Sequence, residues 1–179
     1  AYYLLGGYIG LSIVRAGGSF ELAMLGGGLS IVVLGFLVDR YLIRATGNNH
    51  LAQVLLTVGI AFVIGEVCLA IWGGDSLKIQ LPSYLRGSIV LPGDLYYPKF
   101  RFAIIIFGII AAIALWFLYH KTQIGAVVRA GVDDREMVTA TGINVDLLFV
   151  LVSALGSFLA GVAGVVGGAF LTLHPGAEW

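Results

Sequence analysis

The segment His120–Asp146, HKTQIGAVVRAGVDDREMVTATGINVD, decides how this chain is read. It separates two apolar runs, Phe102–Tyr119 and Leu147–Leu173. A connection between neighbouring elements needs only about 4–6 residues, and this one carries signals of its own. Asp133 followed by Glu136 has the spacing of a capping box, in which the first side chain caps an open N–H and the second reaches back. Gly142 stands where a helix would stop, because glycine takes the left-handed conformation there without a Cβ clash. The spacing predicts a short helix over about 134–141, outside the membrane and between two spans. A membrane protein that builds a helix there usually has something to dock onto it.

Outward from that segment the chain is lipid-soluble in character. Of 179 residues, 59% are hydrophobic and 11% charged, and the mean hydropathy is +0.99. A water-soluble domain cannot bury that much apolar surface, so lipid is the solvent for much of it. A helix crosses the hydrocarbon core with roughly 20 apolar residues. Leu22–Val38, Leu51–Gly73, Phe102–Tyr119 and Leu147–Leu173 approach or exceed that length, and Ala1–Val14 resembles the second half of a span. The expected fold is an all-α polytopic membrane bundle, with four complete spans and one partial span in a piece of a larger protein. A secretory signal peptide is not expected, since Ala1–Val14 lacks a basic leading region.

Formal net charge is zero, which removes any bulk electrostatic case for nucleic acid. The single cysteine, Cys68, excludes an internal disulfide. Loop charge does not orient the spans. Arg40, Arg44, Lys121, Arg129 and Arg135 share one side; Arg15, Lys78, Arg86, Lys99 and Arg101 share the other. All four prolines fall on the second side, so its long loop is expected to be irregular. Leu77–Leu81 alternates and Ser88–Leu91 is β-prone, which allows a small hairpin there.

Glycine is over-represented at 26 residues. Gly156, Ala160, Gly164 and Gly168 recur at four-residue spacing in the last apolar run, with Ser153, Ser157 and Gly161 on an adjoining stripe. Small residues let membrane helices approach closely. The stripe therefore reads as a packing face, or as a thin wall beside a substrate path. The triplet Gly26-Gly27-Gly28 reads as a flexible or unwound spot. Glu66 is the one acidic residue well inside an apolar run. It is either a hydrogen-bonded structural carboxyl or a transport residue, since ionisable groups in lipid are functional by default.

Enzyme signatures are missing from the sequence. His50, His120 and His174 are scattered at span ends, and neither HExxH nor GxSxG occurs. No GxxxxGK[ST] phosphate loop is present. No catalytic residue, metal ligand or cofactor is assigned, and any energy from ATP must come through another polypeptide.

Gly125, Arg129-Ala130, Asp134, Glu136 and Gly142-Ile143-Asn144 resemble the loop of bacterial ABC importer permeases for branched-chain amino acids. The resemblance extends to Leu56-Thr57-Val58-Gly59-Ile60, to Glu66 with Trp72-Gly73-Gly74-Asp75, to Pro82–Gly87, and to Ala154-Leu155-Gly156 through Leu173-His174-Pro175. Ala126 stands where the family commonly has a basic residue, and Val138 where alanine is typical. The resemblance implies one transmembrane permease domain over 1–179, incomplete at both ends. It makes 120–146 a cytoplasmic coupling loop, with 39–50 on the same side, and 74–101 a periplasmic loop. The coupling residues it implies are Gly125, Arg129, Ala130, Asp133, Asp134, Glu136, Gly142 and Ile143. The partners it implies are ABC ATPase subunits that bind the ATP, a second permease subunit, and a periplasmic or lipid-anchored substrate-binding protein. All would assemble in the bacterial inner membrane, and nucleic acid is not among them.

Three other readings stay open at this stage. The same architecture could carry urea or short amides. An ion-coupled secondary transporter could use Glu66. An integral membrane enzyme would need a clustered constellation that the sequence does not show.

Overall fold

A computed structural model describes residues 1–43, 46–47, 49–82, 85, 87–91 and 95–173. Arg44, Tyr84, Arg86, Pro92 and the His174-Pro175 ending lie outside the described residues, as do the side chains of Arg135 and Glu136. Among the described residues, seven α-helices and one hairpin follow in order: α1 (Tyr2–Arg15), α2 (Phe20–Leu37), α3 (His50–Trp72), β1 (Ser88–Leu91), β2 (Leu95–Pro98), α4 (Lys99–Lys121), α5 (Gln123–Asp133), α6 (Arg135–Ala140) and α7 (Val145–Phe170). A π-helical stretch, Val38–Ile43, extends α2. Among the described residues, Phe20–Leu42, Leu51–Trp72, Lys99–Lys121 and Leu147–Phe170 are long and apolar enough to cross a membrane. The chain is an all-α polytopic membrane protein.

The first helical N–H groups of a span have no partner inside the helix, so side chains supply one. The Ser19 hydroxyl oxygen accepts from the Leu22 N–H at 3.3 Å at the start of α2. Asn49 Oδ1 accepts from the Ala52 N–H at 3.2 Å before α3, and Asn144 Oδ1 from the Leu147 N–H at 3.0 Å before α7. Gly73 ends α3 with φ +80, a value that L side chains resist.

The chain divides into two compact units, Ala1–Tyr84 with Ser153–Trp179, and Leu85–Val152. In the first unit, α1, α2 and α7 meet backbone to backbone. A Cβ on Gly6 would fall 2.6 Å from Gly161 Cα, one on Gly27 2.9 Å from the Gly6 carbonyl oxygen, and one on Gly161 2.7 Å from the Gly27 carbonyl oxygen. Three glycines from three helices thus share one crossing, the approach that small residues permit where lipid removes the hydrophobic drive. Gly26-Gly27-Gly28 is accordingly continuous helix within α2 and not an unwound spot, because its missing side chains are filled by α1 and α7.

The segment after α3 bonds to the end of α7. Leu77 and Leu173 exchange backbone hydrogen bonds of 2.8 and 2.7 Å, and the Ile79 N–H donates to the Gly168 carbonyl at 3.1 Å. Ile79 and Leu173 are each only 1% exposed. Trp72 stacks on Tyr8 at 5.1 Å and donates its indole N–H to Ser12 Oγ at 2.9 Å.

In the second unit, β1 pairs antiparallel with β2 in the register Ser88↔Pro98 to Leu91↔Leu95. Leu77 is not part of that hairpin. Its partner is Leu173, because β1 has a closer β-prone neighbour in Leu95–Pro98. Tyr97 packs edge-on against Phe102 at 5.0 Å, which sets the hairpin on the first turn of α4. Of α4 itself only Phe100 is buried. A helix that is apolar all round faces lipid or a partner on every side.

Candidate functional site

The expected extramembrane element is larger than one helix. Thr122 breaks the chain after α4: its hydroxyl donates to the Leu118 carbonyl, and the same oxygen accepts from the Gly125 N–H at 3.2 Å. That places α5 hard against the end of α4. A Cβ on Gly125 would lie 2.6 Å from the Leu118 carbonyl oxygen and closer still to that of Tyr119. Glycine is needed here by the corner, whatever docks nearby. Arg129 reinforces it, donating from Nη1 to the Tyr119 carbonyl and stacking over the Tyr119 ring at 5.0 Å. A cation placed on the last carbonyls of a helix also complements its dipole. Arg129 therefore positions α5 on α4.

The cap of α6 differs from expectation. Helix α5 continues through Asp133, and the Asp134 N–H still donates to the Ala130 carbonyl at 2.9 Å. The break falls at Asp134, which is extended (φ −148, ψ 97) and accepts from the Met137 N–H at 2.9 Å. Asp134, not Asp133, is the N-cap. Glu136 then sits one position short of the place a reciprocal box requires. Helix α6 covers Arg135–Ala140 inside the expected 134–141, and Gly142 ends it with φ +84 and a hydrogen bond from its N–H to the Thr139 carbonyl at 3.0 Å.

Together α5, α6 and the turn after them form an apolar groove of about 310 Å³, lined by Ala126, Val127, Ala130, Met137, Val138, Thr141 and Ile143. Val138 forms its floor at 9% exposure, while Met137 is 67% exposed. Gly131 is buried, and a Cβ there would lie 3.3 Å from Val145 Cγ1, which sets α5 close to the start of α7. Ala126 and Val138 both line this groove. Asp133 and Ile143 are exposed. Small apolar side chains and a flexible methionine suit a protein surface more than a charged ligand.

The remaining site residues lie in the first unit. Gly164 and Gly168 belong to the buried face of α7; a Cβ on Gly164 would lie 2.8 Å from the Gly7 nitrogen, and one on Gly168 2.8 Å from Leu173 Cγ. Ala160 is half-buried. Gly156 is exposed, and a Cβ there would meet nothing within 4 Å among the described residues. The packing face runs through Ser157, Gly161, Gly164 and Gly168 instead. Twelve residues rotate a helix by about 120° beyond whole turns, whereas eleven leave only about 20°, so Gly156 has swung off the face that Ser157 shares with Gly168. Glu66 is exposed on α3. No group of three or more metal-ligating side chains is found among the described residues.

Residues 1–177 match the family described as branched-chain amino acid transport system / permease component. Among characterised proteins the chain is similar to the high-affinity branched-chain amino acid transport system permease protein LivH of Salmonella typhimurium strain LT2 and of Escherichia coli strain K12. Each is 25% identical to it over 187 residues, covering 94% of this chain and 58% of the relative. No solved structure matches it.

Proposed function

The chain belongs to the branched-chain amino acid transport system permease component family, and from that membership we propose that it is a membrane-spanning subunit of a binding-protein-dependent ABC importer. Its cargo is a branched-chain or similar apolar amino acid, the class that the relatives' names carry. It hydrolyses no ATP itself; separate ATPase subunits do so. A second permease subunit completes the pore, and a periplasmic or lipid-anchored binding protein delivers cargo. The protein sits in the bacterial inner membrane with 39–50 and 120–146 in the cytoplasm and 74–101 outside.

The observation that carries this reading is the capped helix pair α5–α6, which keeps an apolar groove and the exposed Val132 and Met137 outside the spans. Exposed apolar patches of this kind mark interaction surfaces. An ATPase subunit seats on the groove, with Met137, Val138 and Ile143 as its contacts. Closure of the ATPase dimer moves α6, and the corner at Gly125 and Arg129 passes that motion to α4, while Gly131 and Asn144 pass it to α7. Gly125 and Arg129 thus act through backbone geometry. Switching between outward and inward openings needs two discrete helix packings, and glycine crossings allow them with little repacking of side chains.

Reconstitution tests the reading. The full-length permease in proteoliposomes, with its second permease subunit, ATPases and binding protein, is expected to take up leucine only with ATP inside and all partners present. Leucine uptake that persists without the ATPases, driven by an ion gradient, would overturn it in favour of a secondary transporter.

A further inference from the structure

Helix α5 is held at membrane level at both ends. It follows α4 after the single residue Thr122, and the end of α4 carries an aromatic and basic belt of Trp116, Tyr119, His120 and Lys121. Trp116 and Tyr119 are exposed, and His120 stacks on Trp116 at 5.4 Å while donating from Nδ1 to its carbonyl at 3.1 Å. Amphipathic rings of this kind settle where hydrocarbon gives way to headgroups. Toward the other end, Gly131 comes close to Val145, just before the candidate span Leu147–Phe170 begins. The 11 residues of α5 make a helix about 16 Å long. With both ends at the mouths of spans, that helix runs along the membrane surface and not out into water.

The faces of α5 sort by what they meet, since successive residues turn by about 100°. Gly125 and Arg129 point at the carbonyls that end α4, and Gly131 points at the start of α7. Ile124, Val128 and Val132, at four-residue spacing, fall on the arc between those two directions, the side from which both spans rise. Ala126, Val127 and Ala130 fall on the opposite arc and line the groove. Ile124 is 45% exposed and Val132 70%, with Val128 half-buried. The stripe is uncharged, and Arg129 and Asp133 lie outside it.

We propose that the stripe Ile124, Val128 and Val132 rests on the bilayer itself, with its side chains in the boundary between acyl chains and headgroups. Helix α5 is then an interfacial helix, with lipid on one face and the groove on the other. Continuity selects lipid as the occupant: the stripe starts just past the last residue of a lipid-crossing helix and faces the way that helix rises. A partner from the aqueous phase meets the groove, from which the stripe is turned away. Lipid contact confines any movement of α6 to directions that keep α5 in the interface. The inference goes beyond the importer reading and needs only that α4 and α7 cross the membrane.

The test uses the full-length permease with its second permease subunit in lipid nanodiscs, first without and then with the ATPases. Nitroxide labels are placed singly on Ile124→Cys, Val132→Cys and Asp133→Cys in a Cys68→Ala background free of other cysteines. Each label is read for access to oxygen, which concentrates in lipid, and to a nickel chelate, which stays in water. For a stripe buried in the interface, the oxygen-to-nickel ratio at 124 and 132 should exceed that at 133 by about fivefold, with or without the ATPases. A second readout uses bimane on the same cysteines. Lipids carrying a nitroxide near the headgroup end of the acyl chain should quench it at 124 and 132, and much less at 133. Nickel access at 124 and 132 equal to that at 133 would place the stripe in water and overturn the inference. Labels shielded from both reagents, or shielded only once the ATPases bind, overturn it in favour of a protein occupant. None of these readings requires transport, so a complex that imports no leucine strikes the importer reading and leaves this one standing.

Discussion

The crossing of α1, α2 and α7 and the corner of α4, α5 and α6 both depend on glycine, for opposite reasons. At the crossing, Gly6, Gly27, Gly161 and Gly164 are excluded from carrying side chains by the backbone of another helix. At the corner, Gly125 is excluded by the carbonyls of the preceding helix in its own chain, and Gly142 is set by its own dihedral angle of φ +84. The first kind of glycine holds spans together; the second aims a surface element. Damage at the crossing should remove the protein, whereas damage at the corner should leave the protein and spoil what it does.

The sharpest break in that comparison is Gly164→Leu. Overpacking a tight site typically costs about 1–3 kcal/mol, occasionally more, and here the obstacle is the backbone of Tyr3 and Gly7, which cannot rotate away. The full-length variant is expected to lose most of its yield as a monodisperse complex on size exclusion. Gly125→Val should rank next, at about 2 kcal/mol by the same argument. Its spans should insert normally while limited proteolysis begins to cut near Thr122. Asp134→Ala removes one capping bond to the Met137 N–H and should cost about 1 kcal/mol. Hydrogen exchange at the Met137 amide would then speed up about fivefold. Smallest of all is Glu66→Gln, since the amide keeps the volume of the Glu66 side chain and still hydrogen-bonds. Uptake should stay within about twofold of wild type, as a structural, hydrogen-bonded carboxyl allows. Complete loss of uptake with normal assembly would give Glu66 the transport role.

Much of the fold could be read before any coordinates, because hydropathy over twenty residues is a strong signal. Helices α2, α3, α4 and α7 fall close to the apolar runs, and Ser88–Leu91 is a strand. Helix α5 could not be read in the same way. Its register depends on Thr122 as a cap and on Gly125 and Gly131, residues that weaken helical propensity and whose value lies in what they avoid touching. The cap of α6 shifted from Asp133 to Asp134 because two adjacent aspartates satisfy the same pattern, and only the length of α5 chooses between them. The glycine stripe was visible as composition, yet its face was displaced, since four-residue spacing drifts around a helix.

Under the proposed function, α5 and α6 transmit motion between an ATPase subunit and the spans. The most direct test is the number of ATP molecules hydrolysed per leucine imported, measured in proteoliposomes for wild type and for Gly142→Val. A β-branched residue resists φ +84 strongly, so the turn after α6 should lose its shape while the spans and their crossing stay intact. The variant complex is expected to assemble and still hydrolyse ATP, with import reduced and the ratio raised several-fold. A Gly142→Val complex with the wild-type ratio and the wild-type import rate would show that this segment merely connects two spans.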